Sequence, residues 1–227
     1  MDEQIIILGD AETTRESDAL AGAPFSLSPG SQVDIPDVHP TQVPVPQRII
    51  VRELTIDESD SAGPFVFKQP DQSHPCTQLS DISQMITRIR TNSYVHRPNA
   101  APYDRPLDLN LQVSTCFIIR LSPKWAWRFS STLKGAMLGQ LPPGEKNNYY
   151  NLRHVLDSGV EGPDPFDEVE FCRLIYFVAT PVSAGFEHAF NLNIEFVYPG
   201  GTVPSKKPNT VPIVIDPDVR HPGGSAD

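Results

Sequence analysis

Two groups of closely spaced carboxylates are candidates for chemistry in this chain. Asp216 and Asp218 flank Pro217. Paired carboxylates can do acid–base work or hold a metal, but only with a partner group opposite them. A strand ending in an aspartate–proline turn, with Asp accepting backbone amides, accounts for the same residues. Glu161, Asp164, Asp167, Glu168 and Glu170 form the second group. Hard cations such as calcium take several oxygen ligands from one loop. The order of these acids matches no EF-hand, and Gly162-Pro163 reads as an ordinary solvated turn.

Other arrangements fail on spacing. Gly139 and Gly144 have the four-residue gap of a phosphate-binding P-loop, with Lys146 near. That motif needs Lys directly after the second Gly, then Ser or Thr, whereas here Glu145 intervenes and Asn147 follows. The histidines (His39, His74, His96, His154, His188, His221) show no HxH or HExxH spacing, and no GxSxG surrounds a serine. Cys76, Cys116 and Cys172 form no metal or redox motif, and the latter two sit in apolar strand patterns as small hydrophobes. Arg120, Lys124, Arg128 and Lys134 interleave with Trp125 and Trp127 as a stacking surface for single strands would. Period two instead puts Trp125, Trp127 and Phe129 on one face and Arg128 on the other, the pattern of a core strand with a basic outer face. Gly223-Gly224 resembles the terminus of conjugated modifiers, but Ser225 to Asp227 follow it, as in a frayed tail.

The elements that must position any site are mostly strands. Leu107 to Leu121 alternates with period two, apolar on one face, and its second half from Thr115 is apolar on both. This predicts a long strand whose second half crosses the centre of the core. Ile49 to Ile56, Phe65 to Phe67, Trp125 to Phe129, Phe171 to Thr180, His188 to Tyr198 and Val211 to Ile215 read as further strands. Phe171 to Thr180 is apolar on both faces apart from Arg173, the mark of a central strand. Ile82, Met85, Ile86 and Ile89 share the face of one helix, with Ser80 or Asp81 as its cap. Residues 131–149 read as a loop. The expected fold is all-β, a mainly antiparallel β-sandwich over residues 47–216 with one short α-helix. A proline-rich extended arm (residues 1–46) precedes it and a flexible tail (217–227) follows.

Charge is uneven along the chain. The net value is −10 over 227 residues, yet residues 81–160 carry 10 basic and 5 acidic groups. The overall sign argues against nucleic acid or anionic membranes as the main partner. The acidic start Met1-Asp2-Glu3 is unlike a signal peptide, and no run is long enough to span a membrane, so a cytoplasmic site is expected. Within the arm, Ile5, Ile6, Ile7 and Leu8 form a lone apolar patch. Such a patch can add a strand to an exposed sheet edge, on its own body or on a neighbour.

The stretch His188–Val197, followed by Pro212–Gly224 with its Ile-Asp-Pro and Pro-Gly-Gly steps, resembles the C-terminal end of short bacterial proteins of unknown role. The resemblance implies a bacterial cytosolic origin and carries over no activity. No catalytic, cofactor-binding or metal-binding residue emerges, and no cofactor is expected. The leading expectation is a non-enzymatic structural or assembly protein, a homo-oligomer or partner binder, with residues 1–46 pairing onto a neighbour through Ile5 to Leu8. The alternative is a ligand- or metal-binding β-sandwich with an acidic site, which leaves room for an enzyme.

Overall fold

The computed structural model describes residues 6–9, 32–39, 42, 45–56, 65–68, 74–91, 113–139, 147–166, 170–181, 187–198, 209–216 and 218–220. In chain order the elements are β1 (Ile6–Gly9), β2 (Gln32–Asp34), β3 (Arg48–Ile56), β4 (Phe65–Lys68), β5 (His74–Pro75) and the helix α1 (Leu79–Arg90). There follow β6 (Thr115–Leu121), β7 (Trp127–Phe129), β8 (Ala136–Gly139), β9 (Tyr149–Leu156), β10 (Glu161–Gly162) and β11 (Cys172–Ala179). The last are β12 (Glu187–Tyr198), β13 (Asn209–Asp216) and β14 (Asp218–Arg220).

The strands form two sheets. Sheet one runs β1-β13-β12-β8-β2, with β7 and β14 also paired to β12; sheet two runs β10-β9-β11-β6-β3-β4, with β5 on β3. Pairing is antiparallel except for β1 on β13 and β3 on β6. Among the described residues, the all-β, two-sheet architecture with one short helix is therefore as the alternation indicates. Among the described residues no helix is long and apolar enough to cross a membrane.

One core lies between the sheets, with Trp127, Phe129, Leu192 and Ile194 of sheet one packed on Phe117, Ile119, Tyr149 and Phe177 of sheet two. A second core fills the other face of sheet two, where Ile82, Met85, Ile86 and Ile89 of α1 meet Ile49, Val51, Cys116, Ile118 and Leu174. Sheet two is thus covered on both sides. This is why β6 and β11 are apolar on both faces, as period two alone cannot be in a half-wet strand.

Several boundaries differ from expectation. The long strand starts at Thr115; Leu107 to Gln112 lie outside the described residues. The helix begins earlier than Ser80. Its N-cap is Gln78, and Asp81 acts from the third helical position, accepting the Thr77 and Gln78 amides at 2.8 and 3.1 Å. Residues 131–149 are not all loop, since β8 lies within them and β9 begins at Tyr149. The arm touches the body at several points. Ile6, Ile7 and Leu8 align with Ile213, Val214 and Ile215 of the same chain, and β2 pairs with β8. Ile35 enters the core between the sheets.

Candidate functional site

Three guanidinium groups line one cavity of about 200 Å³ at the end of sheet two where α1 stops. Arg90 is the last residue of α1, Arg120 the last but one of β6 and Arg173 the second of β11. The β9–β11 register shifts between Cys172 and Leu174, and such a bulge re-aims the side chain at the irregularity. Asp157 completes the polar lining. It sits in the tight turn from β9 to β10, closed by Leu156 N–H to Val160 O at 2.9 Å and Gly159 N–H to Leu156 O at 2.8 Å. Gly159 has φ +100°, and a side chain there would collide with the Arg90 guanidinium. Glycine therefore permits both the turn and the seating of Arg90.

The bonds around the cavity order these groups. Arg90 donates through Nε and Nη2 to the Asp157 carbonyl at 3.1 and 2.7 Å. Arg173 Nη1 stands 3.4 Å from Asp157 Oδ2, and its guanidinium lies over the Phe171 ring at 4.6 Å. Arg120 Nη1 is 3.6 Å from Glu53 Oε2 on the neighbouring strand. Arg173 Nε is buried, with no hydrogen-bond partner among the described residues. Burial holds the Asp157 carboxyl above its usual range against the pull of Arg173; Glu170 adds to the rise, and Arg120 and Arg90 oppose it. Guanidinium forks match planar or tetrahedral oxyanions, so the arrangement suits an anion with several oxygens.

A second polar centre holds the two sheets together. Ser130 N–H donates to Asn193 O and Asn193 N–H to Gly135 O, so residues 131–134 loop out between β7 and β8. Glu195 Oε2 accepts from Arg128 Nε at 3.0 Å, while Oε1 takes the Ser130 hydroxyl at 3.0 Å and the Ser131 amide at 2.9 Å. From the loop, Lys134 Nζ reaches the Pro163 carbonyl and the Asp164 carboxylate on the far sheet, at 2.7 and 2.5 Å. Beneath it His154 is fully buried, its Nε2 accepting the Gly135 amide at 2.8 Å. Its Nδ1 has no hydrogen-bond partner among the described residues, and the backbone of Gly162 and Pro163 lies beside the ring.

Burial, with Lys134 beside it, lowers the His154 pKa to about 4. Below pH 6.5 the unfolded chain takes a proton that the folded state refuses until about pH 4. Stability present above 6.5 is therefore lost as pH falls through this window, by up to about 3 kcal/mol. Urea unfolding at pH 7 and pH 4.5 is expected to show this loss in the native protein and a smaller one in His154→Gln. Equal losses in both would mean that His154 is not held neutral.

Among the described residues, the acids of the 161–170 group take separate partners. Asp164 pairs with Lys134, Glu161 accepts the Tyr176 hydroxyl at 3.3 Å, and the Glu170 carboxylate accepts the Ser158 amide. Asp167 and Glu168 lie outside the described residues, as do the 140–146 part of the P-loop-like stretch and Gly223-Gly224. Asp216 ends β13 and Asp218 begins β14. Among the described residues no three His, Cys, Asp or Glu side chains group as a metal site. The three cysteines are buried, and burial pushes the Cys172 thiol up to about 12, far from a thiolate nucleophile. The basic–aromatic set does not form one stacking face: Lys124 Nζ lies over the half-buried Trp125 ring at 4.8 Å, apart from the others. Trp127 is fully buried and stacked on Phe196 at 5.7 Å, and Arg128 is buried with Glu195.

Of the cavity residues, spacing drew attention only to Arg120, in a different set. The available signal was the lone charge in an apolar strand: Arg120 in Phe117–Leu121 and Arg173 in Phe171–Thr180.

Residues 80–224, well over half of the chain, match the family model pNTSase1, described as a predicted novel nucleotide synthetase. No curated protein and no solved structure matches. The match overturns the expectation of a non-enzymatic structural or self-assembling protein. The apolar patch on which that expectation leaned is placed, for Ile6 to Leu8, against β13 of its own chain. The alternative, a ligand-binding sandwich with room for an enzyme, is the better supported. Arg90, Arg120, Asp157 and Arg173 all fall within the matched residues.

Proposed function

Because the chain belongs to the pNTSase1 family of predicted nucleotide synthetases, we propose that the arginine-lined cavity binds the phosphates of nucleoside triphosphates and serves a reaction at phosphorus. The observation that carries this is the meeting of Arg90, Arg120 and Arg173 from three separate elements in one cavity. In such a reaction an attacking oxygen forms a new P–O bond, gives up its proton, and the leaving phosphate takes the displaced electron pair. Guanidinium donors fixed before the reaction stabilise the charge that gathers on the phosphate oxygens. Their own contacts hold them still: Arg90 on the Asp157 carbonyl, Arg173 on its carboxylate and the Phe171 ring, Arg120 on Glu53. Asp157, the carboxylate in the described lining, would receive the proton, its carboxyl held above the usual range by partial burial against the pull of Arg173.

The test is to incubate the protein with the four nucleoside triphosphates and Mg²⁺ and to resolve products by anion exchange and mass spectrometry. A new nucleotide species is expected from the native protein and none from Arg173→Gln. Undiminished product from a folded Arg173→Gln variant would remove the cavity from the reaction.

A further inference from the structure

Resting on that reading, we infer that the cavity grips the phosphate chain and leaves the base outside, so that the site selects substrates by phosphate number and not by base. Three observations lead here. The first is size. At about 200 Å³ the cavity lies below the roughly 300–1,000 Å³ of pockets that enclose a whole small molecule. The second is the lining. Among the described residues, it is made, beyond the three arginines and Asp157, by Ile89, Pro123 and Leu174. A base is read by stacking on aromatic rings and by amide, hydroxyl or backbone groups on its edge. None of these lining side chains is aromatic, an amide or a hydroxyl, and the carboxylate that could accept from a base stands beside Arg173.

The third is where unmet polarity lies. Among the described residues Arg173 Nε is buried without a partner, while its guanidinium lies over the Phe171 ring. A buried N–H lacking an acceptor calls for one, and a phosphate oxygen supplies it without any demand on the rest of the ligand. Binding strength then rises with each phosphate that reaches another guanidinium. The nucleoside, projecting into solvent, adds little.

Calorimetric titration of the full chain with ATP, GTP, CTP, UTP, AMP and inorganic tripolyphosphate tests this. The four triphosphates are expected to agree within about threefold. Tripolyphosphate should come within about tenfold of them, and AMP should be weaker by about a hundredfold or more. A preference above tenfold for one base, or failure of tripolyphosphate where ATP binds, overturns the inference and leaves the nucleotide site standing. Failure of every ligand overturns the site and the inference together. Arg173→Gln supplies the second check: its loss of affinity is expected to be the same factor for tripolyphosphate as for ATP, and a loss confined to ATP would contradict phosphate-only recognition.

Discussion

The double variant Arg90→Gln/Arg173→Gln is expected to bind nucleoside triphosphates at least about a hundredfold more weakly than the native protein. A hydrogen bond to a charged group contributes about 1.5–3 kcal/mol, and two lost together come to about 3–6 kcal/mol, where each 1.4 kcal/mol is tenfold. These two positions are chosen because both act on Asp157, one on its carbonyl and one on its carboxylate. Glutamine keeps donors there while removing the charge. Arg120 is left in place because it faces Glu53, whose side chain is only 11% exposed, and removing it would strand a nearly buried carboxylate. Calorimetric titration with ATP reads the affinity, and circular dichroism reports whether the fold is kept. Native affinity in a folded double variant would show that these arginines serve only to tie α1 and β11 to the β9–β10 turn.

The largest effect on stability is expected at Glu195. Glu195→Ala removes the acceptor for Arg128, Ser130 and Ser131 at one stroke. Both members of the ion pair are close to fully buried, with side chains 6% and 5% exposed. Breaking a buried pair by deleting one member costs about 3–5 kcal/mol, because the other charge loses its compensation in a place water does not reach. Glu195→Gln keeps acceptors for the serines and should lose less. Denaturant unfolding with equal m-values would give the difference directly. A loss under about 1 kcal/mol for the alanine variant would mean that the loop readjusts to satisfy Arg128 by itself.

How far the sequence reveals this molecule depends on whether neighbours share a purpose. In β3, β6 and β11 side chains face one core or the other, and alternation or a doubly apolar run declares the strand. In α1, Ile82, Met85, Ile86 and Ile89 recur at helical spacing because one face meets sheet two. β9 hides for the opposite reason. It carries Asn151 at φ +58°, exposes Arg153 partly and buries His154 fully, so polarity no longer tracks direction. The cavity is harder still. Arg90, Arg120, Asp157 and Arg173 span more than eighty positions, and the β-bulge that turns Arg173 toward the others follows from pairing between strands. Spacing within the chain carries no trace of such a meeting. The carboxylates near residue 164 were visible because they are adjacent in sequence, yet Glu161, Asp164 and Glu170 each take a separate partner.

The pairing of β1 with β13 has a bearing on how the protein is made. Ile6 meets Ile213, so this edge of sheet one closes only after residues up to 213 have left the ribosome. At synthesis rates of about 5–20 residues per second, the wait is on the order of 10–40 s. Through that interval the segment is an apolar strand with open amides and carbonyls in a nascent chain, the kind of template on which chains associate wrongly. Contacts of such long range also slow folding, because the loop they close is ordered before the contact repays it. The acidic residues of the segment that follows, Asp10, Glu12, Glu16 and Asp18, are placed where like charge on neighbouring nascent chains would keep these strands apart.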